Sequence, residues 1–288
     1  MNKNLVILAG GASSRMKKSM ASNNLSEEEI KNANTNSKAL LTFGKNNRPI
    51  LDFLLLNAEK AGYTHVIIII SEDGARFKNY YGEETRNNKH QSLSISYATQ
   101  YIPNDRVKPF GTADAVLQAM EQYPKLQKEE FTVCNSDNLY SVKALQALRE
   151  KAAPNAFISY DREGLQFPME KIERFALTLL DANSHITDII EKPASDMVEG
   201  YTDASGKLRV SMNIFKFTGE QIFPFLKNCP VNPIRNEKEL PTAILNMCND
   251  DSNYMEGIPF NEHVPDLTAK EDIATMKSYL EEHYPELF

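Results

Sequence analysis

Five consecutive β-branched residues, Val66-Ile67-Ile68-Ile69-Ile70, constrain the folds open to this chain more than any other feature. A strand exposed on one face alternates apolar and polar side chains, whereas an unbroken apolar run has both faces covered. Such a strand belongs to a parallel sheet with helices above and below it. The neighbouring segments keep to that plan. Leu5–Ala9 and Phe131–Cys134 read as further buried strands, and Leu93–Ala98 as an alternating one. Helical patterns separate them. Pro49–Gly62 has proline near its start and glycine just past its end, Glu72–Tyr81 and Thr112–Gln122 follow, and Ser141 caps one more. Over the first 150 residues this βαβ rhythm predicts an α/β fold, a mostly parallel sheet with helices on both faces.

The rhythm then changes. Phe175–Leu180 and Ile186–Glu191 flank Asp181-Ala182-Asn183-Ser184 at hairpin spacing. Leu208–Phe217 alternates through Val210, Met212 and Ile214 as a strand does. Thr218–Leu226 and Glu237–Met247 look helical. Thr268–Glu282 reads as an amphipathic terminal helix, with Thr268 as its cap and Glu271 as the capping-box partner. The second half is expected as mixed sheet and helix layered on the first. Neither a repeat nor a linker interrupts it, which favours one continuous domain over residues 1–288.

The composition excludes several partners. Lys and Arg number 32 against 39 Asp and Glu, a net charge of −7, so neither nucleic acid nor an anionic membrane is the expected surface partner. Three cysteines, Cys134, Cys229 and Cys248, form no CxxC pair and imply a reducing compartment without a disulfide framework or zinc. Leu5–Ala9 is too short for a signal peptide, and no apolar run approaches the roughly 18 residues of a membrane span. A soluble, cytoplasmic protein is expected.

Leu8-Ala9-Gly10-Gly11-Ala12-Ser13-Ser14-Arg15 follows the first strand. Glycines let the backbone approach a ligand closely, turning N–H groups point at anionic oxygens, and the arginine neutralises charge, a set suited to a polyphosphate. By itself the octapeptide also suits a tight turn with a solvated arginine. It matches neither the Walker A loop nor GxGxxG. Ser37-Lys38-Ala39-Leu40-Leu41 supplies a lysine that either snorkels or meets phosphate. In Lys108-Pro109-Phe110-Gly111-Thr112, Gly111 permits close approach to a flat ligand, and Thr112 can cap a helix and bond a base edge. Asn135-Ser136-Asp137-Asn138 puts a carboxylate at the carboxyl end of a strand, where open α/β sheets bind ligands. There it either holds Mg²⁺ through hard oxygens or closes an Asp-Asn turn. Glu191-Lys192-Pro193 is a charged strand end that can meet sugar hydroxyls and a second phosphate.

Together LAGGASSRM, SKALL, KPFGTADAVL, NSDN, EKP and VSMNIFKF, in that order from Leu8 to Phe217, resemble the sugar-nucleotidyltransferase (nucleoside-triphosphate transferase) family. The resemblance implies a three-layer, glycosyltransferase-A-like Rossmann variant. It also implies a nucleotide-binding half at residues 1–150 and a sugar-phosphate-binding half at 151–288. Ala9, Gly10, Gly11 and Arg15 would then hold the triphosphate, Lys38 the α-phosphate region, and Gln100, Gly111 and Thr112 the base. Asp137 would bind Mg²⁺, and Glu191, Lys192 and Asn213 would meet the sugar phosphate. Arg15, Lys38 and Asp137 become the catalytic set. The activity implied joins the nucleotidyl group of a nucleoside triphosphate to a sugar 1-phosphate and releases pyrophosphate. A non-sugar phosphate acceptor and a non-catalytic nucleotide-binding domain are the alternatives. A homo-oligomer is compatible with the resemblance.

Two departures stand out. The family's loop lysine follows the arginine closely, whereas the polar stretch Lys17–Asn36 precedes Lys38. That stretch reads as a mobile surface insertion with one short helix over Ser26–Ala33, or as a flap over the loop, and Lys17 or Lys18 is an alternative loop lysine. The family's late second metal aspartate is also missing near Glu239-Leu240-Pro241-Thr242, leaving Glu239 or Asp266 to replace it, or Asp137 and phosphates alone.

Overall fold

A computed structural model describes residues 2–20, 25–173, 175–191, 198–250 and 254–287. Strands β1 (Asn4–Leu8), β4 (His65–Ser71), β6 (Leu93–Gln100) and β7 (Glu130–Asn135) run parallel in the order β7-β1-β4-β6. The numbering leaves room for a two-stranded ribbon, β2 (Thr42–Phe43) with β3 (Arg48–Pro49), and for β5 (Asn88–His90), which closes the edge antiparallel to β6.

The Val66–Ile70 run behaves as its composition requires. Val66, Ile68 and Ile70 enter one core cluster, together with Leu5 and Ile7. Ile67 and Ile69 enter the cluster on the opposite face, together with Val6. Helices α3 (Ile50–Lys60), α4 (Ala75–Tyr81) and α6 (Val142–Glu150) cover the first face. Helix α5 (Thr112–Gln122) covers the second. Each fully buried isoleucine contributes about 1.5–3 kcal/mol, so both helical layers are held by the same few strand residues.

The second half extends this sheet rather than layering on it. Strand β8 (Ala156–Asp161) pairs β11 (Arg209–Thr218), and β12 (Glu256–Phe260) pairs β8. The expected hairpin forms as β9 (Leu177–Leu180) and β10 (Ile186–Ile190). Strand β11 joins the halves. Its second part is antiparallel to β7, and Val210, near its start, pairs β9. The shift between them falls at Asn213, with φ 56. Asparagine is among the few residues that take the left-handed conformation readily.

Helices α8 (Gly219–Lys227) and α9 (Leu240–Cys248) complete the second face. Residues 237–239 precede α9 as extended chain, three residues later than the apolar pattern suggests, because their backbone is used in pairing described below. The terminal helix α10 spans Asp272–His283, and its expected capping box is not formed. The Thr268 hydroxyl donates to Asp266 at 2.6 Å, while the Asp272 carboxylate accepts the N–H groups of Thr268 and Ala269, each at 2.8 Å. Asp272 wins because a carboxylate takes two orphan amides at once.

The polar stretch is only partly irregular. Residues 14–18 form a short helix α1 (Ser14–Lys18). Ser26 and Glu29 form a capping box that opens α2 (Glu27–Thr35), whose Ala33 is fully buried. A short helix α7 (Met169–Ile172) lies between β8 and β9. No helix among the described residues is long and apolar enough to cross a membrane.

Candidate nucleotide site

The carboxyl ends of β1, β4, β6 and β7 open into a cleft of about 480 Å³. It is the place where a parallel sheet presents loops and free backbone groups to a ligand. Its lining brings together Ala9, Gly10, Gly11, Arg15, Lys38, Gln100, Gly111, Thr112 and Asp137, residues up to 128 positions apart. Ser13, Lys108, Ser136 and Glu237 join them, without having been singled out as ligands from sequence.

The insertion interrupts the chain but not the site. Ser13 takes a left-handed conformation (φ 53) after the glycine pair, and its Oγ accepts the Lys38 N–H at 3.2 Å. That bond closes the excursion of α1 and α2 at its base. It delivers Lys38 into the cleft, whereas Lys17 and Lys18 are exposed and do not line it. Lys38 Nζ donates to Asp137 Oδ2 at 2.6 Å, with side chains 13% and 20% exposed. Arg15 is exposed at the rim, and its guanidinium has no hydrogen-bond or ion-pair partner among the described residues. The loop therefore offers two cations, one uncommitted and one held by the carboxylate that faces it.

The two glycine positions differ in why they must be small. A Cβ on Gly11 would meet nothing within 4 Å. Gly111 has φ 107, and a Cβ there would fall 2.3 Å from the Lys238 carbonyl oxygen. The tight fit is a two-way backbone pairing. Lys238 N–H donates to Phe110 O at 2.7 Å, and Ala113 N–H to Lys238 O at 3.0 Å. Gly111, not Thr112, occupies the cap position of α5. The Thr112 hydroxyl accepts the Leu240 N–H at 2.9 Å and so caps α9 instead. Gln100 is 5% exposed and donates through Nε2 to Gly111 O (3.0 Å) and to Asp114 Oδ2 (3.2 Å). Its Oε1, the remaining acceptor, lies beside Gly10.

The residues expected on the acceptor side are not gathered into this cleft. Glu191 pairs with Arg235 at 3.0 Å, and Arg235 also holds Glu239 at 2.6 Å. Asn213 is exposed, and its carbonyl accepts the Tyr140 hydroxyl at 3.2 Å. Lys192 lies outside the described residues.

Asp137 supplies hard oxygen donors to the cleft, and no group of three His, Cys, Asp or Glu side chains assembles among the described residues. Such a set fits Mg²⁺, which keeps several waters and takes phosphate oxygens. Of the two replacements considered for a second acidic ligand, Glu239 is committed to Arg235 and Asn232 (2.6 Å). Asp266 bridges to Asn138, one residue from Asp137, yet its carboxylate is held by Lys171 (2.9 Å), Thr268 and Asn138 (3.2 Å). Neither lines the cleft.

Comparisons with known proteins bear on the family and the fold. A glucose-1-phosphate adenylyltransferase of Corynebacterium jeikeium (strain K411) is 22% identical over 255 residues, covering 86% of this chain and 61% of its own. One from Cereibacter sphaeroides (strain ATCC 17029) is 28% identical over 218 residues, covering 73% of this chain and 46% of its own. The chain thus spans about half to three-fifths the length of these curated relatives. A solved UDP-glucose pyrophosphorylase complexed with UDP-glucose superposes with a TM-score of 0.71 over 98% of this chain and 100% of its own, at 16% identity, and so shares the fold. The nucleotidyl transferase family model matches residues 4–286, and the chain belongs to that family.

Proposed function

We propose that the chain transfers a nucleotidyl group from a nucleoside triphosphate to a sugar 1-phosphate and releases pyrophosphate. The observation that carries the reading is the cleft itself, where the Gly10-Gly11 loop, Arg15, Lys38 and Asp137 meet at one end and Gly111-Thr112 at the other. Relatives named as glucose-1-phosphate adenylyltransferases support the acceptor class.

A sugar-phosphate oxygen attacks the α-phosphorus. The new P–O bond forms as the bond to the β-phosphate oxygen breaks, and that oxygen leaves with the electron pair as pyrophosphate. The nucleophile is already ionised near neutral pH, so the chain need not supply a general base. Its work is placement and charge compensation. Backbone N–H groups of the Gly10–Ser13 turn and the Arg15 guanidinium would hold the triphosphate. Lys38, released from Asp137, would neutralise the reacting phosphate. The Gly111-Thr112 entry and Gln100 Oε1 would contact the base. Asp137 would hold a Mg²⁺ ion, which when bound offsets phosphate charge. Glu191, Lys192 and Asn213 are proposed to receive the sugar phosphate.

The test is a matrix of nucleoside triphosphates against sugar 1-phosphates, choline phosphate and alcohol phosphates, read by pyrophosphate release. Release with at least one sugar 1-phosphate supports the proposal. Tight Mg-nucleotide binding by calorimetry without release across the matrix would assign the chain to nucleotide binding alone.

A further inference from the structure

Among the described residues two lysines are almost completely buried, and they hold different things together. Lys216, 1% exposed, donates to the carbonyls of Lys151 (2.7 Å) and Ala153 (3.1 Å) and pairs with Glu130 (2.8 Å), away from the cleft. Lys270, 3% exposed, donates through Nζ to the carbonyls of Lys17 (3.0 Å) and Ser19 (2.7 Å). Its own N–H donates to Ser19 Oγ at 3.0 Å. No carboxylate pairs with it among the described residues. A desolvated ammonium without a counter-ion is tolerated only where fixed dipoles face it. Here the dipoles are carbonyls at the end of α1, which lack partners inside the helix and are well served by a lysine.

Helix α1 carries Arg15 in its first turn and continues directly from the glycine loop. The segment that ends in Lys270 begins against Asp137. Leu139 N–H donates to Pro265 O and Leu267 N–H to Asp137 O, each at 2.9 Å, and Asn138 bridges to Asp266. Leu267 and Met16, both fully buried, share one core cluster. Six residues, Pro265–Lys270, therefore run from the carboxylate side of the cleft to the far end of the arginine helix.

We infer that Lys270 is a positioning residue for the triphosphate end of the cleft: its ammonium fixes α1, and with it Arg15 and the glycine loop, relative to Asp137. This rests on the nucleotide reading of the cleft for its consequence, but not for the contact itself. Without the ammonium, α1 is held by Met16, by the Ser13–Lys38 bond and by the single Lys270 N–H bond to Ser19 Oγ. The loop then samples positions that no longer match the phosphates, and the acceptor residues are untouched.

The experiment compares Lys270→Met, Lys270→Arg and Ser19→Ala with Lys216→Met as a matched buried-lysine control. Trypsin cleavage after Lys17 and Lys18, followed by mass spectrometry, reads the hold on α1 without any ligand. In Lys270→Met this cleavage should accelerate about tenfold or more, and Mg-nucleoside triphosphate should bind about tenfold more weakly by calorimetry. The KM for the sugar phosphate should stay within about twofold, a split that general destabilisation would not produce. Lys270→Arg should restore part of both effects, and the milder Ser19→Ala should shift both in the same direction. Lys216→Met should lower the melting temperature while leaving the cleavage ratio and nucleotide affinity at wild-type values. Unchanged cleavage in Lys270→Met and Ser19→Ala, or equal changes in Lys216→Met, would overturn the inference. If the wild-type protein binds no triphosphate, the functional reading fails, and the cleavage comparison still decides whether Lys270 holds α1.

Discussion

Replacing Gly111 by alanine should cost the folded protein about 2–6 kcal/mol. Two terms make up the figure. The backbone at Gly111 has φ 107 and ψ −179, a region essentially reserved for glycine, which strains any other residue by about 1–3 kcal/mol. The added Cβ would also lie 2.3 Å from the Lys238 oxygen and 2.8 Å from its nitrogen, an overlap worth about 1–3 kcal/mol once neighbours shift. Those neighbours cannot yield cheaply, because they are backbone atoms already bonded to Phe110 and Ala113. Where the wild-type stability, about 5–15 kcal/mol for a domain, exceeds the loss, urea unfolding measures it as a lower midpoint at unchanged slope, and a larger loss shows as a chain unfolded without urea. Separating α5 from residues 237–239 should also open the base end of the cleft and weaken triphosphate binding. A cost below about 1 kcal/mol would refute the reasoning, since neither the strain nor the overlap could then exist.

Gly11→Ala should behave in the opposite way, leaving stability within about 0.5 kcal/mol because its Cβ meets nothing. Calorimetry should nevertheless register weaker triphosphate binding, and unchanged affinity would mean that the loop backbone does not approach the phosphates. Lys38→Met and Asp137→Asn should each slow pyrophosphate release by about 10²–10³ while the far-ultraviolet spectrum stays native. Near-normal turnover in both would remove the ion pair from the mechanism. His263 is pushed down from 6.5 to about 4, first by burial and then by Lys171, and its Nδ1 accepts the Gln166 N–H at 3.1 Å. Between those two values the unfolded chain binds more protons than the folded one. Stability should therefore be full above about pH 6.5 and fall as the pH drops toward about 4. Urea midpoints across that range should show the decline in wild type and a weaker one in His263→Gln, and parallel curves would contradict it.

The sequence was most informative where a local pattern and the tertiary environment demand the same thing. Val66–Ile70 divides between two core clusters because its unbroken apolar pattern can satisfy nothing else. The short helix expected over Ser26–Ala33 forms as α2, because its Ser26–Glu29 cap is made locally. Legibility failed where the deciding partner is distant in the chain. Asp272 displaced Glu271 as the acceptor of the Thr268 N–H ahead of α10, a competition that spacing alone does not resolve. Gly111 looked like an allowance for a ligand, yet the backbone of Lys238 already fills that space. Strand β12 contains Gly257 and Pro259, which break a strand pattern; among the described residues β8 is its one strand partner, and on the other side only Glu256 bridges to His185 and the Gly257 N–H to Ser184 O. Lys270 carries no sequence sign of burial, since the carbonyls that receive it belong to residues 17 and 19. The Gly10–Arg15, Gln100 and Asp137 segments sit at the ends of β1, β6 and β7 and so line one cleft, whereas Lys38 follows α2 and reaches it through the Ser13 bond, which spacing does not reveal. The acceptor side was not gathered, because Glu191 is drawn to Arg235 at the surface.

Whether this cleft performs nucleotidyl transfer is decided by supplying an α-³²P-labelled nucleoside triphosphate, magnesium and a panel of sugar 1-phosphates, and following the label. Label should appear in a nucleotide sugar in one-to-one ratio with released pyrophosphate, and both should slow by about 10²–10³ in Lys38→Met. Binding of the triphosphate with the label remaining in it across the whole panel would show that the cleft does not transfer the nucleotidyl group.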